Sequence, residues 1–180
     1  MEAAANILAG LGSEAARLFL ASERGALVVY LDRIDLGPFL DLQASQIGLP
    51  LSFLTETRDV VTDPALFEHL FTAALGLVEG TDRPIIVGAG DGRLTISIPA
   101  RQGALPTGSD DVFSRRSSSD RRRVARGEDA RISLLIRLAD QLDVGISMHA
   151  LGTRPDDPRV CLSVSLAESA AAFPQMALSS

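Results

Sequence analysis

The alternation of apolar and polar residues along the chain predicts helices and short strands in a mixed order. Apolar positions recur at helical spacing over residues 3–20, 37–47, 63–78 and 130–142. Short runs rich in Val, Ile and Leu indicate strands at residues 26–31, 51–55, 83–88, 93–98, 144–149 and 159–166. Asp91-Gly92 is a typical hairpin turn between two of them. We therefore expect an α/β (α+β) two-layer sandwich: a mixed sheet packed by helices on one face, with an additional N-terminal helix.

The composition divides the chain into three parts. Residues 1–23 are expected to form an N-terminal helix, residues 24–167 one domain, and residues 168–180 a flexible tail. Inside the domain, residues 100–129 are dominated by Gly, Pro, Ser, Asp and Arg, which predicts a long loop or lid.

Charge and cysteine content exclude several classes of protein. A net charge of -6 argues against general nucleic-acid binding. No apolar run approaches the length of a membrane span, and no signal-peptide pattern is present. The single cysteine, Cys161, lies in a strand pattern and is expected in the core, which is consistent with a cytoplasmic protein. Glu68 and His69 have no third ligand at usable spacing, so we expect no metal site.

The positive charge is concentrated within the predicted lid. Every basic residue of the chain is Arg, and residues 112–131 hold seven of them against three acidic residues. Residues 115–126, here called the basic segment, are expected to contact an acidic partner surface, unless they form only a solvated loop. The arginines of the basic segment are Arg115, Arg116, Arg121, Arg122, Arg123 and Arg126.

The N-terminal helix has an apolar stripe with the spacing of a dimerising seam. The stripe consists of Leu8, Leu11, Ala15 and Leu18. Gly10 and Gly12 weaken the first half of this helix, and Ser13 could cap a shorter one. The helix is expected either to form a weak homodimer or to pack locally within its own chain.

The order of the elements after residue 62 is informative: a helix from Asp63, a strand, the Asp91-Gly92 turn and a second strand. This order resembles the GHKL (Bergerat-type) ATP-binding domain that sensor histidine kinases share with gyrase B. The resemblance covers about residues 24–167 and extends to the C-terminal domain of the cell-cycle histidine phosphotransferases, which dock response-regulator receivers. It implies two-component signalling, ATP with magnesium as cofactor, and a receiver domain or a histidine kinase as partner.

The residues at the family's ligand positions depart from its pattern. In the family, the helix that here begins at Asp63 carries an asparagine box, whose second Asn holds the magnesium ion of ATP. The two Asn positions correspond to His69 and Ala73. The Asp that accepts the adenine amino hydrogens corresponds to Ala100. A methyl group neither accepts a hydrogen bond nor coordinates a cation.

The glycine boxes of the family are also changed. The two glycines of the first box correspond to Gln102 and Ala104, and a side chain at Gln102 would obstruct close approach of the backbone to a nucleotide. The second box, which opens the next helix and wraps the phosphates, reads Asp129-Ala-Arg131. Asp129 would repel the phosphates, and Arg131 would offset that repulsion only in part.

The resemblance therefore implies a degenerate domain. The family's phosphoacceptor has no counterpart, because neither His69 nor His149 lies on an N-terminal helical hairpin. We expect a non-catalytic, pseudokinase-like adaptor or regulator in two-component signalling, with no cofactor. The alternatives are a divergent ATP-binding histidine kinase or phosphotransferase, and a structural dimerisation module.

Overall fold

The structure is a computed structural model of the chain. It describes residues 13–25, 27–76, 78, 82–100, 130–150 and 158–167. The helices are α1 Ser13–Glu23, α2 Leu36–Ile47, α3 Pro64–Leu75 and α4 Ala130–Leu142. The strands are β1 Asp32–Asp35, β2 Leu51–Phe53, β3 Asp59–Thr62, β4 Ile85–Gly90, β5 Arg93–Pro99, β6 Gly145–Ala150 and β7 Pro158–Ser165.

The strands form one mixed five-stranded sheet and one small antiparallel pair. The large sheet has the order β2-β4-β5-β7-β6, and β1 pairs with β3. Strands β2 and β4 are parallel, whereas the other neighbours in the large sheet are antiparallel. A parallel pair needs a crossover, and β3 and α3 supply it. A bridge between Val60 and Leu166 joins the small pair to the end of β7.

The core lies between the large sheet and helices α2, α3 and α4. Alternate residues of β5, namely Leu94, Ile96 and Ile98, are fully buried on this side. On the opposite side of β5, Arg93 and Thr95 remain partly exposed. Both layers contribute to one continuous apolar cluster. This architecture confirms the predicted α+β sandwich, and α4 has the bounds that the apolar spacing predicts.

The helix ends follow from local side-chain chemistry. Asp35 caps α2 by accepting a hydrogen bond of 2.7 Å from the amide of Gly37. Gly48 ends α2 with φ 68°, in the left-handed region that glycine adopts without steric cost. Asp63 caps α3, and Pro64 occupies the first turn. The predicted hairpin turn is also present, with φ 52° at Asp91 and φ 71° at Gly92.

The prediction of a buried strand at residues 26–31 is wrong. The described residues of this range, 27–31, form no strand and lie outside both sheets. Leu27 and Val29 pack against the core, but Val28, Tyr30 and Leu31 are 63–74% exposed. Alternate residues of this segment therefore pack on the core, but the segment has no neighbouring strand to pair with. The actual strands β1 and β3 were missed because each has four residues and begins with Asp.

Among the described residues, no helix combines the length and the apolar character that crossing a membrane requires.

Candidate functional site

The first part of the candidate site is the face of α3 that carries His69 and Ala73. These residues lie one helical turn apart and therefore share a face. Ala73 is 8% exposed. Behind it, Phe67 and Phe71 pack edge-to-face against Phe39 of α2, with ring centroids 5.8 and 5.6 Å from that of Phe39. This aromatic cluster fixes α3 against α2, because each ring pair restrains the other.

His69 faces the N-terminal helix. Its Nε2 lies 3.7 Å from Oε1 of Glu14 on α1, and the two side chains are 29% and 77% exposed. Helix α1 also packs against α4, and Leu18 packs against the core of its own chain. Of the predicted seam, Ala15 lies in α1, whereas Leu8 and Leu11 lie outside the described residues. The dimer remains a prediction.

The second part of the site is the end of β5. Ala100 has no exposed surface, and its amide donates a hydrogen bond of 2.9 Å to the carbonyl of Pro158. Nη2 of Arg83 donates to the carbonyl oxygen of Ala100 at 3.2 Å. The backbone of Ala100 is thus engaged on both sides, and the sheet contacts extend one residue into the predicted lid.

A buried arginine, Arg159, lies beside this end of β5 and was missed in the sequence. It is 2% exposed, and its Nη1 donates to the carbonyl oxygens of Pro84 at 2.8 Å and Ser97 at 3.5 Å. Arg159 therefore joins the start of β4, the end of β5 and the start of β7. The available signal in the sequence was a single Arg at the start of an apolar strand. A cation in that position is buried with the strand and therefore needs hydrogen-bond acceptors.

Cys161 lies two residues further along β7 and is buried, as the strand pattern predicts. Its Sγ donates a hydrogen bond of 3.4 Å to Oγ of Ser97. Burial raises the pKa of the Cys161 thiol, and the hydrogen bond to Ser97 and the charge of Arg159 offset only part of that rise. The thiol therefore stays protonated and unreactive near neutral pH.

Most of the remaining predicted site residues lie outside the part of the chain that the structure describes. Arg131 is the second residue of α4, but its side chain lies outside the described part. Gln102, Ala104, Asp129 and the whole basic segment also lie outside the described residues. His149 is in β6 and pairs in register with Arg159. Within the described ranges, no group of three His, Cys, Asp or Glu residues could hold a metal ion.

Solved structures of histidine kinases share this arrangement of strands and helices. The histidine kinase AdeS of Acinetobacter baumannii matches with a TM-score of 0.56 at 14% identity, over 86% of this chain and 76% of that chain. The mycobacterial sensor histidine kinase MprB matches with a TM-score of 0.52 at 11% identity, over 76% of this chain and 97% of that chain. The chain has the fold of the histidine-kinase ATP-binding domain.

A third solved structure with this fold is a complex with the nucleotide analogue AMPPNP. Full-length ShkA in complex with AMPPNP matches with a TM-score of 0.54 at 12% identity, over 86% of this chain and 35% of that chain. The sequence itself matches no protein-family model and no curated protein. The property that these comparisons share with the chain is thus the fold.

Proposed function

We propose that this histidine-kinase-type domain is a non-catalytic, pseudokinase-like adaptor or regulator in two-component signalling. The observation that carries the proposal is the pair Ala73 and Ala100, which are both buried, the first in α3 and the second directly after β5. These are the positions that the resemblance assigns to the magnesium ligand and to the acceptor for the adenine amino group. A methyl group at both positions removes one contact at each end of the nucleotide.

The surroundings of the two alanines support the same conclusion. Magnesium takes oxygen ligands, and His69, the nearest polar residue on this face of α3, is directed towards Glu14 instead. At the other end, the carbonyl of Ala100 already accepts a hydrogen bond from Arg83. Among the described residues, neither of these two positions retains the side-chain oxygen that the family uses there.

The proposed partner is a response-regulator receiver domain or a histidine kinase. The resemblance to the histidine phosphotransferases supports this partner, because their domain of this fold docks receivers. The six arginines of the basic segment supply a cationic surface that would complement an acidic partner. A weak homodimer through α1 is compatible with this role.

A calorimetric titration with ATP and magnesium tests the proposal. We expect no binding heat at sub-millimolar nucleotide, while a histidine-kinase ATP-binding domain of the same fold serves as the positive control. Magnesium-dependent binding in this range would contradict the proposal and favour a divergent ATP-binding kinase.

A second arm separates an adaptor from a structural dimerisation module. Receiver domains encoded in the same genome are passed over the immobilised chain, and association is recorded at low and high salt. Saturable binding to at least one receiver is expected. If no receiver binds and the chain only self-associates, the dimerisation module is the better description.

A further inference from the structure

A polar cleft opens on the small β1–β3 pair, next to the start of α2. It has a volume of 290 Å³, which lies at the lower limit of ligand pockets, about 300 Å³. None of its lining residues belongs to the candidate nucleotide site. The lining residues are Arg33, Asp35, Glu56, Thr57, Arg58 and Asp59.

One wall of the cleft is an ion pair that is already satisfied. Nη2 and Nε of Arg33 donate to Oδ2 of Asp59 at 2.6 and 3.1 Å. The register pairs Arg33 with Val61 and Asp59 with Asp35, so this ion pair runs diagonally across the β1–β3 pair. Because each neutralises the other, this wall fixes the shape of the cleft and contributes little net charge.

Arg58 also lines the cleft, and no described residue accepts a hydrogen bond from its guanidinium. The guanidinium carbon lies 3.9 Å from the centroid of the Phe53 ring, so one face of the group is covered. Its Nε is buried and has no hydrogen-bond partner among the described residues. A buried donor without an acceptor is rare in proteins, and it shows that the charge of Arg58 is not neutralised by a neighbouring carboxylate within the described residues.

Gly37, the second residue of α2, lies between two residues that line the cleft. A Cβ atom on Gly37 would lie 2.9 Å from Nη1 of Arg58 and 3.0 Å from Oδ1 of Asp35. Arg58 and Asp35 thus approach the same point without forming an ion pair, since no salt bridge joins them in the described part of the chain.

The acidic side of the cleft is formed by Glu56 and Asp35. Glu56 is exposed, and within the described residues it has neither a hydrogen bond nor an ion pair. Asp35 keeps one oxygen on the amide of Gly37 and has further acceptor capacity. The unpaired charges of the cleft are therefore one guanidinium and two carboxylates.

We propose that this cleft binds a small zwitterion, namely a free α-amino acid. Its carboxylate would accept from the guanidinium edge of Arg58, which binds carboxylates in a bidentate manner. Its ammonium group would donate to Glu56 and Asp35. A simple anion is disfavoured by the two carboxylates, and a simple cation is disfavoured by Arg58. This site is independent of the proposed function, because it shares no residue with α3 or the end of β5.

Titration of the full chain by NMR tests the inference, with L-alanine as the zwitterion, acetate as the anion and ethylamine as the cation. We expect saturable shifts of the Arg58 Nε–H and Gly37 amide signals with L-alanine up to about 50 mM. Acetate and ethylamine should each bind about tenfold more weakly, because each satisfies only one side of the cleft.

Variants distinguish the charges of the cleft from general effects. Glu56→Gln should weaken L-alanine binding about tenfold. The matched control is Asp41→Asn, which removes one exposed carboxylate on α2 outside the cleft. Arg58→Lys keeps the positive charge but loses the bidentate edge of the guanidinium, so it should also weaken binding of L-alanine. Thermal unfolding of this variant verifies that it remains folded. Absence of saturable shifts, equal binding of acetate, or unchanged affinity in Glu56→Gln would each overturn the proposal.

Discussion

Oδ2 of Asp63 accepts a hydrogen bond of 2.8 Å from the backbone amide of Tyr30. Oδ1 of the same carboxylate accepts from the amide of Leu66 at 3.0 Å. Asp63 is 5% exposed, so both bonds are shielded from water. One side chain therefore caps α3 and also anchors the extended segment that leads into β1.

Replacement of Asp63 should be more costly than loss of an ordinary helix cap. Asp63→Ala removes the cap of α3 and leaves the Tyr30 amide without its acceptor. We expect a loss of about 2–3 kcal/mol in the free energy of unfolding. Urea denaturation measures it. Asp35→Ala is the matched control: Asp35 caps α2 through one bond and is exposed, and it should cost about 1 kcal/mol. Equal losses would show that the Tyr30 bond contributes nothing.

The buried thiol of Cys161 predicts a loss of stability at alkaline pH. Because the folded pKa is raised above the usual value of 9.0, the unfolded chain releases the thiol proton first as the pH rises. The unfolded state then binds fewer protons, and the free energy of unfolding falls through this window, at most by about 1.4 kcal/mol per pH unit. Below the unfolded pKa this contribution is fully present.

Comparison with Cys161→Ala isolates this contribution. Denaturation curves at about pH 7 and about pH 10 should show a smaller alkaline loss in the variant, since it has no thiol to ionise. If the loss is the same in both proteins, other groups account for it.

Charge reversal in the basic segment should slow binding of an acidic receiver domain. The triple substitution of Glu for Arg121, Arg122 and Arg123 is expected to lower the association rate about tenfold or more at low salt. It should also remove the dependence of that rate on ionic strength. Surface plasmon resonance at several salt concentrations measures both. The control is Arg24→Glu, an exposed residue just beyond α1. Unchanged association in the triple variant would exclude the basic segment as the contact.

Removal of residues 1–22 should convert a weak dimer into a monomer. Leu18 packs against its own core, so a seam would depend mainly on Leu8 and Leu11. Each buried Leu contributes roughly 2 kcal/mol at most, which predicts a concentration-dependent dimer. Sedimentation equilibrium of both chains measures the mass. The same monomeric mass for both would leave α1 as a local packing element.

The sequence predicted long, strongly periodic elements better than short ones. Helix α4 and the strands on either side of Asp91-Gly92 were recognised because their apolar spacing is unambiguous and their turn has a defined chemistry. The small strands β1 and β3 were not recognised, because each has only four residues and begins with Asp, which leaves no period to read. Propensity alone cannot detect a strand that depends on a partner distant in the chain.

The candidate site was predicted as positions and not as contacts. The resemblance named His69 and Ala73 as corresponding positions, and the structure adds that they lie one turn apart on α3. The contact between His69 and Glu14 could not be predicted, because it depends on how α1 packs against the rest of the domain. The role of Arg159 was hidden for the same reason: its acceptors at Pro84 and Ser97 come from other strands.

The pairing of β5 with β7 brings Pro99 opposite Arg159, so the chain between them, which includes α4 and β6, closes a long loop across an antiparallel ladder. The entropy of closing such a loop grows only logarithmically, by about 0.6 kcal/mol for each doubling of its length. A change in the length or sequence of residues 101–129 should therefore have a small effect on the free energy of unfolding. The folding rate bears the larger effect, because this central ladder forms only after distant parts of the chain meet.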